Sequence, residues 1–377
     1  MSKNKHFSHL NGGGADESPL RSNRGSAIIM VAITMVVIFA FAVLAVEGAI
    51  LMTTRTQLQA AADAAALAAA TGLLEGSETT AIDRAINFAS YNNATQVTSS
   101  PVIITAADVT FPEPGVVRVR THRTRATGDA IRTYFLRILN PASDNQAEMT
   151  AVAAATVFDV CAAPCLRPWA IPDRWEDANA NGVYDDGELY DPDITGYKAP
   201  ADIGASIVLK SGNPQQAIEP GIFYPVNYPP LNRYPDQDPL TGGDWYRQWI
   251  YDCSPYTIEL GDQLQLEPGN MVGPTMQGIE DLIAQDPGAQ WDSAEQKIVN
   301  SAYGRSPRIG LVPLFDPRLP PTSGRNYVTI SKIGAFFIES TGPGSQVNGR
   351  FIQVTAQGSP CEIRSGTTLV QGLQLIE

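Results

Sequence analysis

Residues 27–46 read AIIMVAITMVVIFAFAVLAV, and residues 58–70 read LQAAADAAALAAA. The first run holds no charge and a single hydroxyl, Thr34. At about 1.5 Å per helical residue it matches the roughly 30 Å of a bilayer's hydrocarbon. The chain does not break there. Glu47-Gly48 gives way to Ala49-Ile50-Leu51-Met52, then to the polar Thr53-Thr54-Arg55-Thr56-Gln57, then to the second run. Ala and Leu are the strongest helix formers, and no proline interrupts before Pro101. The stretch from Gly25 to Gly72 therefore predicts one continuous rod, half in lipid and half in water, ended by Gly72 or Gly76.

A cleaved secretory signal is the competing reading of the first run. Such a signal has an apolar core of about 7–15 residues and a small-residue cleavage site. Here the apolar run is longer and flows into more helix, so a retained anchor is expected. Lys3, Lys5, Arg21 and Arg24 precede the span, whereas Glu47, Arg55 and Asp63 follow it. The positive-inside rule then puts the N-terminus in the cytoplasm and the bulk of the chain outside. Residues 1–24 are polar and rich in Gly, Ser and Asn, which predicts a disordered cytoplasmic tail. His6 and His9 lie in it and are expected to be solvated.

A net charge of −13 disfavours nucleic acid as a partner, because phosphate backbones demand basic patches. It suits an extracytoplasmic domain. Only 17% of residues are charged, and 28 Pro with 32 Gly predict a loop-rich, largely β C-terminal part. The four cysteines, Cys161, Cys165, Cys253 and Cys361, all fall on the exported side. An even number there reads as disulfides. A four-thiolate zinc site wants two close pairs, and Cys253 and Cys361 stand alone. The expected bridges are a local Cys161–Cys165 and a long Cys253–Cys361.

After the rod, Thr80-Ala81-Ile82-Asp83 has the form of a capping box, and Ile82, Ala85, Ile86 and Ala89 recur at helical spacing. Pro101–Thr105 predicts a strand. Val109–Phe111 and Val116–Arg120 flank the turn signal Pro112-Glu113-Pro114-Gly115. Strand alternation predicts His122 on the surface. Asp129–Leu139 predicts an amphipathic helix, and Met149–Phe158 a central strand. The segment 77–158 is thus expected to be a small α+β domain on the helical stem 25–76. Residues 159–377 predict a β-rich barrel or sandwich. Its strands are expected at Ser206–Lys210, Gly221–Tyr224, Tyr256–Glu259, Ile309–Pro313, Tyr327–Ser340 and Arg350–Ala356, with Asp262–Gln265 leading into the turn Glu267-Pro268-Gly269-Asn270. A short helix capped by Thr275 is expected to run to Ala284. The fold class is α+β.

The sharpest local motif is Asp177-Ala178-Asn179-Ala180-Asn181-Gly182-Val183-Tyr184-Asp185-Asp186-Gly187-Glu188. It fits the twelve-residue calcium loop. Asp177, Asn179 and Asn181 fall at positions 1, 3 and 5, and Gly182 at the sharp turn. Val183 supplies a carbonyl at 7, Asp185 a side chain at 9, and Glu188 a bidentate carboxylate at 12. A polar Asn-Gly turn is the plainer reading. Every ligand position is filled, so structural calcium is the expected cofactor. Pro172 and Pro192 flank the loop without helical periodicity, which makes it an isolated loop rather than a paired sensor.

Catalytic patterns are weak. His122 is the one histidine outside the tail, and neither a phosphate-binding Gly-rich loop nor His-Glu-x-x-His occurs. Glu259 and Glu267 lie where a paired-acid site is conceivable, but no positioned acid–base pair is visible. No catalytic residues are expected.

The Arg24-Gly25-Ser26-Ala27 entry, the Val46-Glu47-Gly48 exit and the block Leu58–Ala68 resemble the N-terminal region of Tad (Flp, tight-adherence) pilus-assembly proteins of the TadE/TadG-like type. The family usually has Asp where this chain has Glu47. The resemblance covers about residues 24–75 and extends loosely to 157, where Tyr134–Leu139 before an Ala/Val strand looks family-like. The Asp-x-Ser-x-Ser metal motif of larger members is not found. The resemblance implies a single-pass inner-membrane component of a pilus or secretion apparatus, minor-pilin-like or an assembly factor. It implies a pilin-like α+β domain, with membrane lipid and other pilus subunits as partners and a possible surface ligand. Ala27, Ala32, Ala40, Ala42 and Ala45 allow close lateral helix packing. A processed pilin is cut just before its helix, often after Gly, with a Glu early in the mature chain. Gly25 is suitably placed, yet no acid follows until Glu47, so the anchor is expected to stay uncleaved. The rival class is an anchored extracytoplasmic enzyme or carbohydrate-binding module, which a cleft joining acids to Trp245, Trp249 and Tyr251 would favour.

Overall fold

The computed structural model describes residues 24–94, 100–134, 144–213, 216–269, 271–322, 326–343, 346–361 and 368–376. The predicted disordered tail, up to residue 23, lies outside them. The described helices are α1 (Arg24–Leu74), α2 (Glu78–Ser90), α3 (Gly243–Tyr251) and α4 (Val272–Gln285). The strands in chain order are β1 (Val109–Glu113), β2 (Val116–Arg123), β3 (Ile131–Arg132), β4 (Gln146–Ala147), β5 (Met149–Ala163) and β6 (Trp169–Pro172). Next come β7 (Ser206–Ser211), β8 (Ile222–Pro225), β9 (Ile258–Glu259), β10 (Gln263–Gln265), β11 (Gln290–Asp292) and β12 (Lys297–Val299). The last six are β13 (Ile309–Phe315), β14 (Tyr327–Gly342), β15 (Gln346–Phe351), β16 (Val354–Thr355), β17 (Ser359–Pro360) and β18 (Val370–Leu375).

The predicted rod is α1, unbroken from Arg24 to Leu74. It ends as glycine placement requires. Gly76 takes φ +68°. Its N–H donates to the Leu73 carbonyl at 2.9 Å, and the Ser77 N–H to Gly72 at 3.4 Å. That is a Schellman pair of bonds, open to Gly because it has no Cβ to clash in the left-handed region.

Packing divides the chain into two units. The smaller holds the described residues up to Gln57, with those of 94–100 and 123–149. Within it β3 pairs with β4. The Arg123 guanidinium pairs with Asp129 at 2.7 Å and donates to the carbonyls of Ala94 and Ser100 at 3.0 and 2.9 Å. The first part of the helix expected over Asp129–Leu139 is corrected here. Ile131 and Arg132 are strand residues, because pairing with Gln146–Ala147 satisfies their backbone groups. Residues 135–139 lie outside the described set.

The larger unit holds Leu58–Asn93, Pro101–His122 and Thr150 onward. In its part of α1, Leu58, Ala61, Ala62, Ala65, Ala66, Ala69 and Ala70 have no exposure. That spacing of three and four residues is one helix face. The Leu58 carbonyl accepts from buried Thr121 Oγ1 at 2.9 Å, and Gln59 Nε2 donates to Val152 O at 3.0 Å. α2 starts at Ser77, whose side chain accepts the Thr80 N–H. Ser77, rather than Thr80, is therefore the cap. Ala81, Ala85 and Ala89 form its buried face. Pro101–Thr105 contributes only a bridge at Pro101 to Asn93, not a strand.

Two sheets complete this unit. One runs β1-β2-β5-β18-β16, with β9 and β17 also pairing β5. The expected β1–β2 hairpin and central β5 are its first three strands. β5 runs unbroken through residue 158, and its sheet draws strands from both sides of the boundary expected there. In the other, β14 pairs with both β13 and β15, so β13, β6, β8, β7, β15 and β14 close into a six-stranded barrel, and β10 adds outside β14. The C-terminal region is thus a barrel, the first of the two expected forms. Strand alternation separates its two buried faces. Trp169, Ile171, Leu209, Phe223, Val312, Leu314, Phe336, Val347 and Phe351 draw on all six strands and form one cluster with Tyr246, Ile250, Ile279 and Leu282 of α3 and α4. Ala170, Tyr224, Leu311, Phe315 and Phe337 pack the other way, with Phe158 and Val160 of β5 and Val370 of β18. Each such large side chain contributes about 1.5–3 kcal/mol by burial.

The cysteines pair as Cys161–Cys361 and Cys165–Cys253, which corrects both expected bridges. Cys161 sits in extended β5, so its chain does not bend back toward Cys165. β17 runs beside that end of β5 and carries Cys361 with it.

Candidate functional site

The first candidate is the outer half of α1. Ile28, Ile29, Met30, Val36, Phe39 and Phe41 are 62–71% exposed. A helix apolar all round belongs in a core or a membrane. No described element buries this one, and it is long and apolar enough to cross a membrane.

The second is the loop from Asp177 to Glu188. A bridge between Glu176 and Leu189 closes its base. Asp177 accepts the N–H groups of Asn181 and Gly182 at 3.2 and 2.8 Å. Gly182 has φ +75°, the sharp turn its position demanded. The Asn179 and Asn181 amides both donate to Asp185 Oδ2, at 2.8 and 2.7 Å. Glu188 reaches back across the loop to the N–H groups of Ala178 and Asp185, each at 3.1 Å. The side chains of Asp177, Asn179, Asn181, Asp185 and Glu188 are therefore brought together. Among the described residues no group of three or more acidic, His or Cys side chains is arranged to hold a metal. The two asparagines separate the acids, and their amide oxygens are the donors a hard cation would need. Turning either amide about its last torsion exchanges nitrogen for oxygen.

The remaining residues are distributed among separate roles. His122, expected on the surface, is buried, with Nε2 3.2 Å from Asp108 Oδ1. β2 is covered on both faces at its end, where Thr121, His122 and Arg123 are all buried. Burial pushes the Asp108 carboxyl up, but the Thr105 N–H and the Arg120 guanidinium outweigh it and hold the group below its ordinary value. Glu259 pairs with Arg233 at 3.0 Å, while buried Glu267 accepts the Gly242 N–H at 2.9 Å. Each is engaged on its own. Trp249 lies in the closed core against Tyr228, and Trp245 stacks on it half-exposed. Tyr251 lines a polar groove between α3 and α4 with Asp244, Arg247 and Asp281.

Three buried charged residues had no sequence signal beyond lying beside apolar runs. Arg167 donates to the carbonyls of Trp249 and Ile250, near the C-terminus of α3, and to Pro307 O at 3.1 Å. Burial lowers its pKa to about 10. Arg308 donates to four carbonyls, those of Ile338, Asp286, Ala289 and Glu339. Asp173 accepts the N–H groups of Arg174 and Tyr197 and the hydroxyl of Tyr190. Burial raises its pKa to about 6.

These features define a chain with one N-terminal helix able to cross a membrane, joined to a disulfide-linked α+β unit built around a barrel. Residues 25–72 match the family described as "Putative Flp pilus-assembly TadE/G-like", so the match falls within α1. No curated protein and no solved structure matches the chain.

Proposed function

We propose that the protein is a non-enzymatic, membrane-anchored component of a Tad/Flp-type pilus or secretion apparatus, acting in pilus assembly or surface adherence. The coincidence of the family match at 25–72 with the exposed apolar helix carries this reading. The N-terminus lies in the cytoplasm, α1 crosses the inner membrane once, and the barrel stands outside. Small residues along α1 let it pack against helices of neighbouring subunits. The loop at 177–188 binds calcium, which braces the exported part. Protease added to spheroplasts should remove the C-terminal region and spare an N-terminal tag. Crosslinking in membranes should then recover other pilus subunits. Protection of the C-terminal region reverses the orientation, and capture of no envelope subunit removes the assembly role.

A further inference from the structure

Where the apolar run of α1 ends, the smaller unit forms a hollow against the helix. Ala42, Val43, Val46, Glu47 and Ile50 line one side, at helical spacing, and Arg132 and Tyr134 line the other. Val46 is the last residue of the apolar run. At about 1.5 Å per residue, Ala42 lies about 6 Å to its hydrocarbon side and Ile50 about 6 Å beyond it. The hollow therefore straddles the boundary between acyl chains and headgroups. Tyr134 is held at this level, because its N–H donates to Glu47 Oε1 at 2.9 Å while its ring is 65% exposed. A tyrosine ring with one apolar and one wet end is suited to that depth. Arg132 is exposed and has no ion-pair partner among the described residues. We propose that this hollow seats a phospholipid of the bilayer, its acyl chain along Ala42, Val43 and Val46 and its phosphate on Arg132. The inference rests on α1 being a membrane anchor. A guanidinium binds phosphate through paired donors, and β3–β4 pairing fixes Arg132 beside the helix. One carboxylate oxygen of Glu47 is engaged by the Tyr134 N–H, which ties the strand segment to the span.

The test uses the full chain in nanodiscs of phosphatidylglycerol and phosphatidylcholine. A photo-crosslinking phenylalanine analogue replaces Tyr134 in one sample and Phe39, within the span, in another. The Tyr134 probe should attach to phospholipid. Adding Arg132→Gln should cut that yield about fivefold, the weight of one basic side chain at an anionic surface, and Arg132→Lys should retain most of it. If the Phe39 probe labels lipid and the Tyr134 probe labels only protein or nothing, the hollow is not a lipid seat, although the anchor stands. If neither labels lipid, the anchor itself fails and the inference falls with it. An unchanged yield in Arg132→Gln overturns the phosphate contact.

Discussion

Cys161 on β5 is bonded to Cys361, 200 residues further along the chain. The second bridge, Cys165–Cys253, closes a separation of 88. Loops that long constrain the unfolded chain by about 5 kcal/mol each in the chain-entropy model. Non-reducing peptide mapping should recover these two pairs. The paired variant Cys161→Ser/Cys361→Ser should lower Tm, with a loss of about 2–5 kcal/mol. A peptide joining Cys161 to Cys165 contradicts the arrangement.

Arg308 is an internal cation whose donors serve four carbonyls while it lies over the Phe337 ring at 5.1 Å. It ties the turn after α4 to β14. Arg308→Met keeps most of the volume but strips three buried acceptors and one part-buried acceptor of their donor. The expected loss is about 3–5 kcal/mol, the scale for removing one side of a buried charged network. Urea unfolding measures it, and a loss under about 1 kcal/mol excludes the bracing role.

Gly72 lies where a Cβ would come within 2.5 Å of the Ala81 nitrogen and 2.6 Å of its Cα. These are backbone atoms of α2 and cannot swing aside. Gly72→Ala gains up to about 1 kcal/mol of helix propensity. Overpacking costs about 1–3 kcal/mol. The clash is with backbone, so the cost should win and Tm should fall. A rise in Tm shows that α1 and α2 are further apart than this contact.

Asp173 supplies a pH dependence. Its ordinary value is 3.8 and burial raises it to about 6, against the pull of Lys332 and the N–H of Tyr197. The folded protein thus holds this proton more tightly than the unfolded chain does. The group favours folding most below about pH 4, loses that advantage as pH rises to about 6, and is level above. Asp108 has the opposite sign, since its lowered pKa stabilises at neutral pH and is lost as pH falls through the folded value. Asp173→Asn should remove about 2 kcal/mol of the decline between pH 4.5 and 6.5. Its amide can still accept the two backbone N–H groups. Parallel pH–stability curves for the two proteins would show that Asp173 does not titrate in this range.

Elements with a local signal were legible in the chain. The rod, the β1–β2 hairpin across Gly115 and the strands β5, β7, β8, β13 and β14 all follow from period and turn chemistry. α3 has no such mark. Its N-cap is Gly242 at φ +110°, without a side-chain cap, and α4 begins after Met271 at φ +44° rather than at Thr275. Tertiary packing of Tyr246 and Ile250 on Gly278 and Ile279 holds this pair instead. Cysteine connectivity depends on which strand lies beside β5, a fact no spacing contains. His122 failed for a related reason, since alternation reports one wet face only when nothing covers it. The turn at 177–188, with Gly182 at φ +75°, was legible because the hydrogen bonds that shape it close within one short segment.

That loop gives the last expectation. Asp177, Asp185 and Glu188 bring three formal charges to one turn, more than a divalent ion offsets. They are restrained here by backbone N–H groups and by the amides of Asn179 and Asn181. Calcium should turn both amides oxygen-inward and take Glu188 away from the N–H groups of Ala178 and Asp185. Giving up those bonds opposes binding, and the loop lacks a paired partner. The affinity should therefore fall in the weaker range of about 10⁻⁴–10⁻³ M. Magnesium should compete poorly, since it demands a tighter octahedron and keeps its waters. At ten times the dissociation constant the folded state gains about 1.4 kcal/mol, read as a rise in Tm. Asp185→Ala or Glu188→Ala should abolish that rise and leave the calcium-free protein folded, because the loop meets the core through Tyr184 and neither carboxylate belongs to a buried cluster. Isothermal titration with no heat of binding up to about 10 mM calcium, well above the expected range, reduces the loop to an Asn-Gly turn.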